Sequence, residues 1–272
     1  MVFYERLRTT QQANNSLLCV GLDPDPGKIP MHLRDHEDPI GEFCRGIIEA
    51  TSDLVCAYKL NLAFFEALGG RSWLMVHRVL SFVPPNVITI GDAKRGDIGN
   101  SAAMYATALL KDFKFTAATV NGYMGADSVR PFISDADRGA FVLALTSNPG
   151  AKDFQFLNSG GKPLYERVIA KAMKWNENKN LGFVVGATRP AQLKRVRQLV
   201  RDIPLLIPGI GAQGGDLKQA IRYGCNSEGG MALINASRSI IYASGGEDFK
   251  EAARASATAL RDEINRYREK FF

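Results

Sequence analysis

The sequence of 272 residues predicts an α/β protein that folds as a single (β/α)8 barrel over residues 1–272. Three observations indicate this fold class. Eight short apolar runs recur along the chain, amphipathic segments separate them, and a polar residue follows nearly every run. Continuous apolar strands are typical of parallel sheets that are buried on both faces. Eight strand–helix units of this length favour the closed barrel over a doubly wound open sheet.

The eight predicted strands are mainly aliphatic, as expected of strands in the centre of a parallel sheet. They are LLCVGL (17–22), LVCAYK (54–59), VITIGD (87–92), FTAATV (115–120), AFVLAL (140–145), LGFVVG (181–186), PLLIPG (204–209) and GMALIN (230–235). Helical patterns lie between them. Pro163 and Pro190 each open such a pattern, because proline has no N–H to leave unpaired in a first turn. A long amphipathic helix is predicted within residues 247–272.

Composition narrows the class of protein. The chain is 46% hydrophobic and 23% charged, as in ordinary globular domains, and it carries a net charge of +6. Lysine and arginine are spread along the chain without a basic stripe of interleaved aromatics, so we expect no nucleic-acid partner. No apolar run of 18 residues predicts a membrane span. Four cysteines without metal-ligand spacing, and an N-terminus without the apolar segment of a signal peptide, predict free thiols and a cytoplasmic protein.

Polar residues at the ends of the predicted strands indicate where a site forms. In (β/α)8 enzymes the loops at the carboxyl ends of the strands build the active site. One or two such residues would be explained by helix capping, but capping explains a complete ring poorly. In chain order the residues are Asp23, Lys59, Asp92 with Lys94, Asn121, Ser147, Thr188 with Arg189, Gln213, and Arg238.

A glycine-rich stretch, IPGIGAQGGD (207–216), follows the seventh predicted strand. It formally matches the dinucleotide pattern GxGxxG, but it comes late in the chain and the nearest suitable carboxylate follows too early. Loops after strands seven and eight of such barrels commonly bind phosphate through backbone N–H groups. We therefore interpret Gly211, Gly214 and Gly215 with Arg238 as a phosphate site, in which the guanidinium adds a cationic contact.

The segment VITIGDAKRGDIGNS (87–101) carries the most charge near a strand end. Asp92 and Lys94 are two residues apart in an extended segment, so their side chains should point the same way. Lys59 ends the neighbouring strand. With Asp97 these residues form a set of two cations and two anions, which needs no metal ion for neutrality. Two nearby carboxylates should keep Lys94 protonated and able to donate a proton to a carbon centre.

Two simpler interpretations of this segment remain open. The four charges could form a structural ion-pair network, and Asp97 and Ser101 could cap the helix that follows. The predicted position at the carboxyl ends of the strands favours a catalytic role.

At these residues the chain resembles a known family, and the resemblance covers nearly its whole length. DAKRGDIGNS is similar to the D-x-K-x-x-D-I-x-x-T/S signature of orotidine 5′-phosphate decarboxylases. GLDPDP, AYKLNLAFFE, TSNPGAKDF, PGIGAQGGD and the arginine of SRSI resemble the other motifs of that family, in the same order. SNPG and KLNLAFFE are similar to its longer bacterial type. Ser101 stands where threonine is common and Asn148 where some members have histidine, and both keep hydrogen-bonding capacity.

The resemblance implies a (β/α)8 barrel that converts orotidine 5′-phosphate to UMP and CO2 without cofactor or metal, as the last step of UMP biosynthesis. It implies that Asp92 lies near the departing carboxylate and that Lys94 protonates C6 of the pyrimidine. Asp23 and Lys59 would hold ribose hydroxyls, and Ser147 the pyrimidine edge.

The same resemblance implies how the rest of the ligand is bound. Gln213 would bridge the phosphate and the base, and Arg238 would hold the phosphate. Asp97 and Ser101 would reach the ribose in the other subunit, so the resemblance implies a homodimer with active sites at the interface.

Two alternatives stay open. One is a magnesium-dependent sugar-phosphate decarboxylase with a similar D-x-K-x-x-D strand, although Gly91 stands where an additional acidic residue would be expected. The other, from a different class, is a basic non-catalytic protein that binds nucleic acid, which would bind with a steep dependence on salt.

Overall fold

Eight parallel strands form a closed barrel, as predicted. The computed structural model describes residues 1–210 and 214–272. Within these residues each barrel strand pairs with the next one along the chain, and the last pairs with the first. The strands, labelled β1 to β8, are Leu18–Leu22, Ala57–Asn61, Ile88–Arg95, Ala117–Val120, Gly139–Leu145, Leu181–Val185, Leu205–Pro208 and Ala232–Ala236.

Helices surround the barrel and cover its amino-terminal end. The α-helices of the described chain, α1 to α12, are Phe3–Ala13, Pro39–Thr51, Leu62–Glu66, Ser72–Ser81, Gly99–Ala106, Ala126–Ile133, Ala151–Phe154, Leu164–Ala172, Pro190–Val200, Leu217–Gly224, Arg238–Ile241 and Phe249–Phe271. Short 3-10 segments span Pro26–Lys28, Met31–Leu33, Gly69–Arg71 and Met173–Trp175, and a π-helical segment spans Thr107–Asp112. Asn158–Ser159 and Lys162–Pro163 form a small antiparallel hairpin.

The predicted helix starts agree with the structure to within two residues. Pro190 occupies the first turn of α9, and Pro163 immediately precedes α8. The long C-terminal helix α12 packs against α2, α10 and α11. No helix in the described part of the chain combines the length and the apolar character needed to cross a membrane.

The barrel interior is a separate buried cluster that helix α1 closes from below. Phe3 and Leu7 of α1 pack with Phe141 and other inward-facing strand residues, and the Phe3 and Phe141 rings meet edge to face. A Cβ at Gly139 would lie 2.6 Å from the Phe3 ring, so this close approach requires glycine. Apolar side chains thus fill the amino-terminal end of the barrel. A binding site can form only at the opposite end, where the carboxyl ends of the strands lie.

Candidate active site

A cavity of about 630 Å³ lies at the carboxyl ends of the barrel strands. Its volume is within the range typical of small-molecule sites. Residues from nearly every barrel strand or the loop after it line this cavity. Those that the sequence predicted are Asp23, Lys59, Asp92, Lys94, Ser147 and Arg238.

Two buried residues of opposite charge form the floor of the cavity. Lys59 on β2 donates from Nζ to Asp92 Oδ2 at 2.9 Å, across a pair of strands in which Lys59 is level with Ile90. The same Nζ lies 3.7 Å from Asp23 Oδ1. That distance is too long for a hydrogen bond, and Asp23 Oδ1 is buried without a hydrogen-bond partner among the described residues. An acceptor of this kind is available to a ligand hydroxyl.

Lys94 completes the group from the other side of Asp92. Its Nζ donates to Asp92 Oδ1 at 2.8 Å, and about half of its side chain is exposed toward the cavity. The two carboxylate oxygens of Asp92 thus accept from different lysines. The sequence-based prediction that Asp92 and Lys94 converge is confirmed, but its reason was wrong. Lys94 has a φ of +47°, so the backbone there is left-handed and strand alternation does not apply.

Electrostatics keeps the buried pair ionised. Burial alone would raise the pKa of Asp92, but the ammonium groups of Lys59 and Lys94 outweigh it and hold that pKa well below its usual range. Burial alone would lower the pKa of Lys59, but the carboxylates of Asp92 and Asp23 raise it well above its usual range. Both shifts favour the charged forms of the pair.

The predicted phosphate loop is described only in part. Gly211 and Gln213 lie outside the described residues. On either side of them the chain returns on itself, since Gly215 N donates to Gly209 O at 3.0 Å. Gly214 has a φ of +75°, and a Cβ at Gly215 would lie 2.5 Å from Gly209 O. The left-handed conformation at Gly214 and the close approach of Gly209 O to Gly215 thus both require glycine.

Arg238 begins the short helix α11 and lines the cavity together with Gly209. Its guanidinium is exposed and has no ion-pair partner among the residues that the structure describes. Helix α10 begins just after the loop, with Asp216 as its N-cap. Among the described residues, the cavity thus offers the exposed guanidinium of Arg238 to an anion, as a phosphate site would need.

Asp97 and Ser101 do not line the cavity. They lie in the loop after β3 and in the first turn of α5, where Ser101 is exposed. The capping interpretation is not observed either, because Ile98 is the N-cap of α5 and no side chain caps it. Asp97 Oδ1 accepts from the adjacent Ile98 N at 2.8 Å. Nothing within one copy of the described chain thus explains these two polar residues.

Thr119, Tyr242 and Asn235 are among the polar residues at the cavity that the sequence analysis did not identify. Thr119 on β4 donates to Asp92 Oδ1 at 2.8 Å. Tyr242 Oη accepts from Asp25 N at 2.6 Å and donates to Asp23 O at 3.0 Å, so it fixes the loop that carries Asp23. Asn235 ends β8, and Cys19 Sγ lies 3.5 Å from its Oδ1. Only Asn235 had a signal in the sequence, as a polar residue at a predicted strand end.

No group of three or more His, Cys, Asp or Glu residues in the described ranges is arranged to hold a metal ion. The four cysteines are free and buried.

Comparison with known proteins places the chain in one family. A family model described as orotidine 5′-phosphate decarboxylase / HUMPS family matches residues 16–255. Two curated relatives, both named orotidine 5′-phosphate decarboxylase, come from Azoarcus sp. (strain BH72) and Dehalococcoides mccartyi (strain BAV1). The first is 50% identical over 271 residues, covering 98% of this chain and 100% of the relative. The second is 49% identical over 275 residues and covers all of both chains.

Solved structures agree with these relatives. The Leishmania donovani OMP decarboxylase has a TM-score of 0.88 at 39% identity, covering 99% of this chain and 100% of its own. A putative orotidine-monophosphate-decarboxylase from Toxoplasma gondii has a TM-score of 0.90 at 37% identity, with 99% and 98% covered. The matches extend along the whole barrel, including the strands that carry Lys59, Asp92 and Lys94. The chain therefore belongs to the orotidine 5′-phosphate decarboxylase family.

Proposed function

We propose that this protein removes CO2 from C6 of orotidine 5′-phosphate and releases UMP, a step of pyrimidine biosynthesis. The observation that carries the proposal is the arrangement of charges at the cavity floor. Asp92 lies between the ammonium groups of Lys59 and Lys94, and Lys94 extends into the cavity. Full-length identity of about half to proteins named for this activity supports the same reaction.

In the proposed reaction the bond between C6 and the carboxylate carbon breaks, and its electron pair stays on C6 as CO2 leaves. A proton then moves from Lys94 Nζ to C6, and the resulting amine recovers its proton from water. Asp92 disfavours the negative carboxylate of the bound substrate, whereas Lys94 stabilises the carbanion. Because Lys59, Asp92 and Lys94 already hold one another in place, their charges need little reorganisation when the transition state forms.

We also propose how the substrate is held. Asp23 Oδ1, buried and without a hydrogen-bond partner in the described chain, accepts from a ribose hydroxyl, and Lys59 donates to one. Ser147 bonds the pyrimidine edge from the loop after β5. Arg238, Gln213 and the amides of Gly211 and Gly214 hold the phosphate, and Gly215, whose N–H donates to Gly209 O, allows the tight turn of the loop. Remote binding energy of this kind can lower the barrier of the chemical step.

The protein is further proposed to act as a homodimer in which each copy completes the site of the other. Apolar side chains are exposed next to Asp97 and Ser101, including Ile98 (58% exposed) and Met104 (66%). Tyr123, 81% exposed, follows β4, and α5 packs against α6 in the same region. A second copy that binds here would bury this apolar surface. Asp97 and Ser101 of each copy would then reach the ribose of the ligand bound by the other copy.

The proposal includes a single folding unit and a cytoplasmic location. One closed barrel uses strands from Leu18 to Ala236, and α12 packs back on α2, so we expect one cooperative unfolding transition for residues 1–272. Four free, buried cysteines are typical of a reducing compartment.

The deciding experiment follows the ultraviolet absorbance of orotidine 5′-phosphate with purified protein, with and without EDTA, and identifies UMP by chromatography. The proposal expects rapid conversion that the chelator leaves unchanged. Activity that disappears in EDTA would favour the magnesium-dependent sugar-phosphate decarboxylase instead, and no conversion in either condition would refute the proposed function.

A further inference from the structure

We propose that Thr119 is a positioning residue for this reaction: its hydroxyl holds the backbone of Lys94 and the carboxylate of Asp92 in one fixed arrangement. The inference rests on the proposed decarboxylation. The observation behind it is an irregularity in the pairing of β3 with β4. A regular (β/α)8 barrel does not require such an irregularity.

The break lies where β3 passes β4. Ile90 pairs with Ala117 and Gly91 with Ala118, but the next pair is Arg95 with Val120. Three residues of β3, from Asp92 to Lys94, therefore lie opposite the single residue Thr119. Bulges of this kind redirect side chains, and they recur next to active sites. Here the bulge contains Asp92 and Lys94, which lie nearest the reacting bond in the proposed chemistry.

Within the bulge Lys94 has an unfavourable backbone conformation. Its φ of +47° places a residue with a long side chain in the left-handed region, which such residues rarely adopt. The bulge also removes its amide from the regular ladder between the strands. This N–H therefore needs an acceptor outside the ladder, because backbone N–H groups in folded proteins are nearly always paired.

The hydroxyl of Thr119 supplies that acceptor. Lys94 N donates to Thr119 Oγ1 at 3.0 Å, and the same hydroxyl donates to Asp92 Oδ1 at 2.8 Å. Asp92 Oδ1 in turn accepts from Lys94 Nζ at 2.8 Å. One hydroxyl thus connects the backbone end of Lys94 with the carboxylate that holds its ammonium. Thr119 is 1% exposed, so water cannot easily replace it.

This ring of contacts determines where the ammonium of Lys94 can lie. Without the hydroxyl, the amide of Lys94 and one acceptor direction of Asp92 lose their partner, and the bulge relaxes. A displacement of about 1 Å can reduce the rate of a chemical step by roughly 10²-fold. Binding should change little, because Arg238, Asp23 and Lys59, which hold the phosphate and the ribose in the proposal, lie on or after other strands.

The chain offers a matched control on the same pair of strands. Thr116, just before β4, is also 1% exposed, and its hydroxyl accepts from Thr89 N at 3.2 Å across to β3. It lies at the amino-terminal end of the barrel, away from the cavity. Thr116→Val therefore removes a buried hydroxyl that bridges β3 and β4 without touching the proposed site.

The experiment measures kcat and KM for orotidine 5′-phosphate, together with the dissociation constant of UMP, for wild type, Thr119→Val, Thr119→Ser and Thr116→Val. We expect Thr119→Val to lower kcat by about 10²-fold, with KM and UMP binding changed by less than about threefold. Thr119→Ser should recover kcat to within about fivefold of wild type, because it keeps the hydroxyl. Thr116→Val should keep kcat within about twofold of wild type, even if its melting temperature falls as much as that of Thr119→Val.

A Thr119→Val protein with near-normal kcat would overturn the inference, and so would an equal kcat loss in Thr116→Val or a failure of serine to rescue. If Thr119→Val does not fold, Thr119→Ala is compared with Thr119→Ser by the same criteria. Absence of decarboxylation in the wild type would instead refute the proposed function, so the two failures are distinguishable.

Discussion

The ammonium of Lys59 donates to Asp92 Oδ2 at 2.9 Å, and both groups are buried beneath the cavity. A buried ion pair is retained at some cost, because two charges must leave water. Here the two lysines oppose the effect of burial, which alone would raise the pKa of Asp92 and favour its neutral form. With Lys59 on one oxygen and Lys94 on the other, it stays anionic where the proposed substrate brings its carboxylate.

The low pKa of Asp92 predicts a specific dependence of stability on pH. A carboxyl whose folded pKa lies below its unfolded value, about 3.9, stabilises the fold fully above that value and loses this contribution as pH falls. Wild type should therefore lose about 1 kcal/mol relative to Asp92→Asn between pH 6 and pH 3. Urea denaturation at each pH measures this difference. Asp35→Asn, at an exposed position, serves as the control and should show no comparable trend; a constant difference for Asp92→Asn would contradict the assignment.

Arg238 is predicted to act through the phosphate of the substrate. Arg238→Ala should lower kcat/KM for orotidine 5′-phosphate by roughly 10- to 100-fold, since a charged hydrogen bond is lost. Decarboxylation of orotidine without phosphate should change far less. Steady-state kinetics on both substrates test this, with Arg8→Ala, an exposed position on α1, as the control. Equal losses on both substrates would exclude a phosphate role for Arg238.

The proposed shared site predicts complementation between two inactive chains. If Asp97 serves the partner's site and Lys94 its own, a dimer of Lys94→Ala with Asp97→Asn contains one site with both lesions and one intact site. Random pairing of equal amounts gives about half mixed dimers, so roughly a quarter of all sites recover. Co-expression with different tags, purification and the absorbance assay measure the recovery.

A control for that experiment pairs Lys94→Ala with the double variant Lys94→Ala/Asp97→Asn, which can form no intact site. Verified mixed dimers that are no more active than the average of their parents would show that Asp97 does not cross the interface.

Much of the fold was predictable because burial leaves a direct mark on the sequence. The eight apolar runs match the eight barrel strands to within a few residues, and Pro190 marks the start of α9. Strand β3 is the informative exception. The apolar run ends at Asp92, but the strand continues to Arg95 through a bulge, because its pairing with β4 compensates for the polar residues.

The part of the site that escaped prediction depends on contacts between distant segments. Thr119 looks like an ordinary residue of an apolar strand, and only the register of β3 against β4 places its hydroxyl beside Asp92. Tyr242 likewise fixes the loop of Asp23 from more than 200 residues away, with no local pattern to reveal it. Charges at strand ends can be predicted from sequence, whereas the uncharged groups that position them require the fold.

The most direct test of the role of Lys94 is the turnover of orotidine 5′-phosphate by Lys94→Ala, measured by absorbance, in protein shown by calorimetry to bind UMP. Lys94 is the cation that extends into the cavity beside Asp92 and the proposed proton donor to C6. We expect turnover to fall by about 10⁴-fold or more, because both the proton and the stabilising charge are lost, while UMP still binds. Turnover within tenfold of wild type would contradict the central assignment.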